Sequence, residues 1–233
     1  MGWTVLEGGN EFNGRMADAD REAMRLAGGS GAAVRIIPAA AAPDGNHERA
    51  GRRGAAWFRA LGARDVRWLP VVDRGSADLP ELAGEVRGAR LVYLLGGFPG
   101  HLADTLSGSS VWRAALEAHG DGAVIAGSSA GAMVLCEAFY DPFAEAGRSG
   151  LGLVPGAFVV PHFDGTGRRW AETAGERLRG LVLMGIDEET GVVDDGRRRT
   201  WRVWGRGRLT VVGPGGASVF GTGEVYRAGG RAI

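Results

Sequence analysis

The sequence contains no lysine; all 27 of its basic residues are arginine. That excludes a phosphate-loop lysine, a Schiff-base lysine and a serine–lysine dyad. General-base chemistry near neutral pH is left to four histidines, His47, His101, His119 and His162. Only one cysteine is present, Cys136, so an internal disulfide is impossible and a reducing compartment is expected. No apolar run approaches the roughly 18 residues of a membrane span, and "MGWTVLEGGNEF" lacks the basic and apolar regions of a secretory signal. A cytoplasmic protein without membrane contact is expected.

Charge of neither sign dominates. The 27 arginines face 27 acidic residues, which leaves no electrostatic footprint for nucleic acid or an anionic membrane. Arg197-Arg198-Arg199, after Asp194-Asp195-Gly196, reads as a solvated hairpin tip. No His/Cys cluster has metal-ligand spacing and no phosphate-loop glycine pattern occurs, so neither a metal nor an organic cofactor is expected.

What is present suits one globular domain over residues 1–233, with 45% hydrophobic and 23% charged residues. Apolar runs of strand length alternate with helical stretches. "TVLEGG" (4–9) precedes a helix near 14–27, and "AAVRIIPAA" (32–40) precedes one over 47–62. "VRWLPVV" (66–72) leads to a helix around 78–88, and "LVYLLGG" (91–97) to one starting near Pro99. "GAVIAG" (122–127) runs into a helix after Ser129, with "MVLCEAF" inside it. This alternation predicts an α/β fold with a mostly parallel sheet and helices on both faces. Beyond residue 180, short Gly-punctuated strands predict a C-terminal antiparallel extension.

Ligands of open α/β sheets gather where strands end and helices begin. At such a junction the pattern Gly127-x-Ser129-x-Gly131 permits a strained turn that lifts the Ser129 side chain above the sheet edge. The Ala130 N–H, opening the next helix, can donate to a developing oxyanion. "LLGGFPGHL" (94–102) offers Gly97 as the second donor. His162 ends the apolar run of "GAFVVPHFDG" at another strand terminus, with His101 as a rival. A serine–histidine pair also needs an orienting acid. Asp187, Glu188 and Glu189 of "LMGIDEETGVV" are the candidates.

Together, "LVYLLGGFPGHL", "GSSAGAM", "GLGLVPGAFVVPHF" and "GIDEETGVV" resemble the serine peptidase family of aspartyl dipeptidase (peptidase E) and cyanophycinase. The resemblance implies a class I glutamine amidotransferase-like, flavodoxin-like fold. It puts the nucleophile on Ser129, the base on His162, the acid on Glu188 and the oxyanion donors on Gly97 and Ala130. The "GRGRLTVV" tail is closer to cyanophycinase. One departure stands out: where the family commonly carries Asn or Asp, then Gln, this chain has Phe98-Pro99. The expected function is hydrolysis of short, aspartyl or isoaspartyl peptides. The alternatives are a catalytically silent binding module and an esterase with the same triad. Arg168 and Arg169, close behind His162, are expected to bind an acidic substrate group through paired hydrogen bonds. The oligomeric state is open, a homodimer included.

Overall fold

The computed structural model describes residues 2–194, 196 and 200–228. The tip expected at Arg197–Arg199 lies outside the described residues. The chain opens with β1 (Trp3–Glu7), α1 (Met16–Leu26), β2 (Ala33–Ile37), α2 (His47–Ala60) and β3 (Asp65–Trp68). There follow α3 (Arg74–Ala77), α4 (Pro80–Arg87), β4 (Leu91–Leu94), α5 (Pro99–Leu106), α6 (Ser110–Gly120), β5 (Val124–Ser128) and α7 (Ala130–Leu135). Next come β6 (Ala138–Asp141), β7 (Ala146–Ser149), β8 (Ala157–Val160) and α8 (Ala171–Arg177). The last strands are β9 (Val182–Ile186), β10 (Thr190–Asp194), β11 (Thr200–Gly205), β12 (Leu209–Gly213), β13 (Gly216–Phe220) and β14 (Val225–Arg227).

The main sheet has the order β14-β11-β10-β1-β5-β4-β2-β3. From β1 to β3 every pairing is parallel, whereas β10, β11 and β14 are added antiparallel. Both faces of the central strands β4 and β5 are buried, which explains why they read as nearly unbroken apolar runs. Along β4, Leu91 and Tyr93 pack into one core cluster with Phe58, while Val92 and Leu94 pack into the other with Trp112. Side chains alternate faces and both faces are dry. Met16, Ala19, Ala23 and Met24 give α1 a buried stripe at helical spacing.

A second sheet, β13-β12-β9-β8, abuts the first. The C-terminal strands are mostly antiparallel additions as expected, β9 alone running parallel to its neighbour β8, but they are shared between two sheets. β10, β11 and β14 widen the main one, while β9, β12 and β13 extend the second to one side of β8. The helix expected through "MVLCEAF" stops at Leu135; Cys136 bridges to Val154 and Ala138–Asp141 is a strand of the β6–β7 hairpin. The helix expected around 78–88 is α4, preceded by the single turn of α3, whose N-cap Asp73 and Ser76 form a reciprocal capping box.

The seam between the sheets lies at the carboxyl end of β1. Gly8 N–H donates to Thr190 O at 2.9 Å, and the His162 N–H donates to Gly8 O at 2.7 Å. The Ser129 N–H donates to Glu7 O at 3.0 Å. Three segments far apart in sequence are thus fastened to one strand end.

Candidate active site

Ser129 follows the last residue of β5 and caps α7, with φ 50° and ψ −113°. A non-glycine residue in this region is strained, and the strain holds the side chain at the apex of the turn. Its neighbour Ser128 is buried and donates instead to Glu11 Oε2 at 3.2 Å. Ser129 Oγ lies 3.1 Å from His162 Nε2, and His162 Nδ1 lies 2.8 Å from Glu188 Oε1. A carboxylate can only accept, so Nδ1 carries the proton and Nε2 is left to accept from the serine hydroxyl.

His162 also has a positive φ, 51°. Its ring is backed by Gly9, where a Cβ would sit 2.2 Å from His162 Cε1 and where φ is +106°. Only glycine allows that approach. The three acids after β9 have separate partners. Asp187 Oδ2 accepts from the Arg208 N–H at 2.9 Å, and burial pushes its carboxyl above the ordinary range. Glu189 accepts from Asn10 Nδ2 at 3.2 Å and from the Arg15 N–H at 3.0 Å. Glu188 alone of the three reaches the imidazole, and its own N–H is fixed by Asp164 Oδ1 at 3.0 Å.

The rival His101 is occupied elsewhere, with Nε2 2.7 Å from Val72 O. Cys136 is fully buried and burial pushes its thiol up to about 12, so it supplies no thiolate. Ala130 opens α7, so its N–H is among those without an acceptor inside the helix. The Gly96–Gly97 loop after β4 runs beside the nucleophile: the Ser129 Cβ is 3.2 Å from the point where a Cβ on Gly96 would sit. Gly97 is exposed with φ +139°, and a Cβ there would meet Ala40 O at 2.2 Å. Phe98 caps α5 and stacks on Phe143 at 4.5 Å. Arg168 and Arg169 sit in a 3-10 turn, Thr166–Arg169, and both are exposed. Arg168 lies over the Phe163 ring at 5.1 Å, next to His162. No direct contact of either arginine with the three triad candidates is part of this arrangement among the described residues.

Sequence reasoning overlooked the loop from Gly8 to Arg15, which supplies Gly9, Asn10 and Glu11 to the cleft. The signal available was the run "EGGNEF" after a central strand, a paired glycine followed by polar residues. Among the described residues no group of His, Cys, Asp and Glu could hold a metal ion, and no helix is long and apolar enough to cross a membrane.

The model of peptidase family S51 matches residues 5–199. Cyanophycinases from Synechococcus elongatus and Thermosynechococcus vestitus are each 30% identical over 203 residues, covering 81% of this chain and 61% of the relative. The chain therefore spans 61% of the length of those curated relatives. Among solved structures, a peptidase from an acI-B1 Actinobacterium superposes with a TM-score of 0.85 at 29% identity, covering 97% of both chains. A candidate peptidase E from Listeria monocytogenes EGD-e has a TM-score of 0.62 at 18% identity, covering 84% of this chain and 96% of that one. The second likeness is one of fold.

Proposed function

The chain belongs to peptidase family S51, and from that premise we propose that it is a serine peptidase cleaving short peptides through Ser129, His162 and Glu188. The observation that carries this reading is the continuous hydrogen-bonded chain from Ser129 Oγ through the imidazole to Glu188, at 3.1 and 2.8 Å. Ser129 Oγ attacks the scissile carbonyl carbon while its proton passes to His162 Nε2. The carbonyl oxygen becomes an oxyanion cradled by the Gly97 and Ala130 N–H groups. His162 then gives that proton to the leaving amine, and the C–N bond breaks to leave an ester on Ser129. Water, activated by the same imidazole, hydrolyses the ester and returns the enzyme. Glu188 keeps Nδ1 protonated and stabilises the imidazolium that forms in each half.

The proposed substrates carry an acidic group beside the scissile bond. Arg168, held over Phe163 one turn beyond His162, supports this, since its guanidinium can take a carboxylate through two parallel bonds. Arg169 is proposed as its partner.

An active-site fluorophosphonate on the pure protein is expected to modify Ser129 and to leave Ser129→Ala unmodified. Absence of labelling would remove the reading. A panel of Asp-X, β-aspartyl and neutral dipeptides then tests the substrate class. Acidic substrates are expected to turn over faster, and Arg168→Ala with Arg169→Ala to erase the difference. Equal turnover of neutral and acidic peptides would exclude acid recognition.

A further inference from the structure

The carboxyl ends of the central strands set a direction across the cleft. β5, which leads into Ser129, lies between β1 and β4, and all three run parallel. His162 is fastened on the β1 side, where its N–H donates to Gly8 O at 2.7 Å. Gly96, Gly97 and Phe98 follow β4, on the other side of the nucleophile. In the proposed reaction the leaving amine takes its proton from His162 and so faces β1. The acyl portion of the substrate is thereby directed toward β4 and Phe98.

That wall is apolar. Gly96 to Gly100 carry no polar side chain, and His101 is engaged by Val72 O. Directly beside the nucleophile the space is taken: Glu11 Oε1 and the Ser129 Cβ both lie 3.2 Å from the point where a Cβ on Gly96 would sit. Apolar surface begins at the half-buried Phe98, whose ring stacks on Phe143 at 4.5 Å and 27°. Phe143 is still 65% exposed, more than any other large apolar side chain among the described residues. The hairpin that carries it does not depend on the stack. Arg148 bridges Asp104 of α5 at 2.6 Å and the buried Asp141 at 3.4 Å. The Phe143 N–H donates to Asp141 Oδ1 at 3.0 Å, which fixes the turn itself. On the same strand, Tyr140 packs on Trp170 at the end of the Arg168–Arg169 turn, with ring centroids 6.0 Å apart. Two rings are thus held in place beyond the oxyanion loop, with phenyl surface left to water.

Such a pair takes a third ring by buried apolar area and by offset or edge-on ring contact. Cα atoms are about 3.8 Å apart along a chain, so Phe98 stands up to about 7 Å beyond Gly96. An extended peptide gains about 3.3 Å per residue, so the residue before the acylating one is the first to come over the rings. We propose that Phe98 and Phe143 form a subsite for an aromatic side chain on the residue that precedes the one acylating Ser129. The cleft then takes peptides longer than two residues. The proposal rests on the Ser129 nucleophile reading and deepens it: an acidic group is read beside the scissile bond, an aromatic one a residue further out.

Four peptidyl diphenyl phosphonates test this. In each, the serine oxygen bonds to phosphorus, its proton passes to His162 and phenoxide leaves, so mass spectrometry reads the rate of Ser129 modification. Three share an alanine-like acylating residue and differ only in the residue before it: phenylalanine, alanine or glutamate. The fourth has alanine before an acylating residue with a benzyl side chain. Wild-type protein is expected to react about tenfold or more faster with the phenylalanine probe than with the alanine probe. In Phe143→Ala, an exposed position, and in Phe98→Ala that ratio is expected to fall to within about threefold of unity, and Phe143→Tyr to keep it. Taking the ratio within each protein cancels any general loss of fold or nucleophilicity. A wild-type ratio near unity, or one that survives both alanine variants, overturns the proposal. So does a glutamate probe as fast as the phenylalanine probe, because the subsite would then not be apolar. A benzyl probe that outpaces the phenylalanine probe and is slowed by Phe143→Ala overturns it too, since the ring would belong to the acylating residue. Failure of a simple fluorophosphonate to label wild-type Ser129 would instead overturn the nucleophile reading, and this one with it.

Discussion

Three consecutive acids follow β9, and each side chain is engaged by a different group. Glu188 holds His162 Nδ1 at 2.8 Å, Glu189 holds the Asn10 and Arg15 region, and Asp187 accepts from the Arg208 N–H. Glu188→Gln keeps the volume but presents an amide that no longer imposes the Nδ1–H tautomer. It is expected to lower kcat about 100-fold or more, whereas Glu189→Gln, whose partners Asn10 and Arg15 lie outside the Ser129–His162–Glu188 chain, is expected to cost less than about tenfold. The Glu188 side chain is 39% exposed, so water shares the task and the loss stays below that of His162→Ala. Steady-state kinetics of the three variants decides; equal, small effects for both glutamates would exclude Glu188. Ser128 and Ser129 are distinguished in the same way. The buried Ser128 hydroxyl is committed to Glu11, while Ser129 meets the imidazole. Peptide mapping of fluorophosphonate-treated protein is expected to find the adduct on Ser129.

At the level of elements, the site depends on loops that leave strand ends at close quarters. β5 hands over to α7 through the strained Ser129, β8 ends two residues before His162, and β9 is followed by the acids. The loop after β1 passes beneath all three. Gly9 is its tightest point, because a Cβ there overlaps the His162 ring at 2.2 Å while φ is +106°. Gly9→Ala is expected to push the imidazole off the Ser129–Glu188 line. Turnover should fall roughly 100-fold for a misplacement near 1 Å, with far-UV circular dichroism unchanged. Retention of full activity would show that the loop yields without moving the histidine. The Phe98–Phe143 stack belongs to this level as well. It joins the head of α5 to the turn of the β6–β7 hairpin, where Arg148 bridges Asp141 and Asp104.

For the molecule as a whole, the centre of the main sheet carries an unusual load of buried acid. Glu7 and Asp20 are fully buried; the Tyr93 hydroxyl donates to Glu7 Oε2, and Trp57 Nε1 donates to Asp20 Oδ2 at 2.8 Å. Burial pushes the Asp20 carboxyl from 3.8 up to about 7, and burial together with the Asp20 charge raises Glu7 well above its ordinary range. The native state therefore holds protons that the unfolded chain releases. The corresponding stability is complete below pH 3.8 and is lost as pH rises through about 7. Thermal unfolding is expected to show a lower Tm at pH 8 than at pH 5.5 by roughly 5 °C. Asp20→Asn, which can still accept from Trp57, is expected to shrink that difference. A Tm that climbs from pH 5.5 to 8 would mean the pair is ionised in the fold.

Periodicity and local turn chemistry were enough to reveal the α/β alternation, because strands buried on both faces need unbroken apolar runs and helices need one apolar stripe. The Gly127-x-Ser129-x-Gly131 elbow was legible for the same local reason: the backbone there requires small residues within one turn. His162 stood out as a polar residue ending an apolar run. Its partner acid was narrowed to three adjacent residues by position and to Glu188 by family resemblance, while the three side-chain contacts arise only from packing. His162 and Glu188 are 26 residues apart, and Glu11 and Ser128 are 117 apart. Contacts at such separation depend on which strands pair across the seam, and no local pattern encodes that. The split of the C-terminal strands between two sheets, the hairpin after Cys136 and the reach of Glu11 into the cleft were therefore decided by tertiary structure alone.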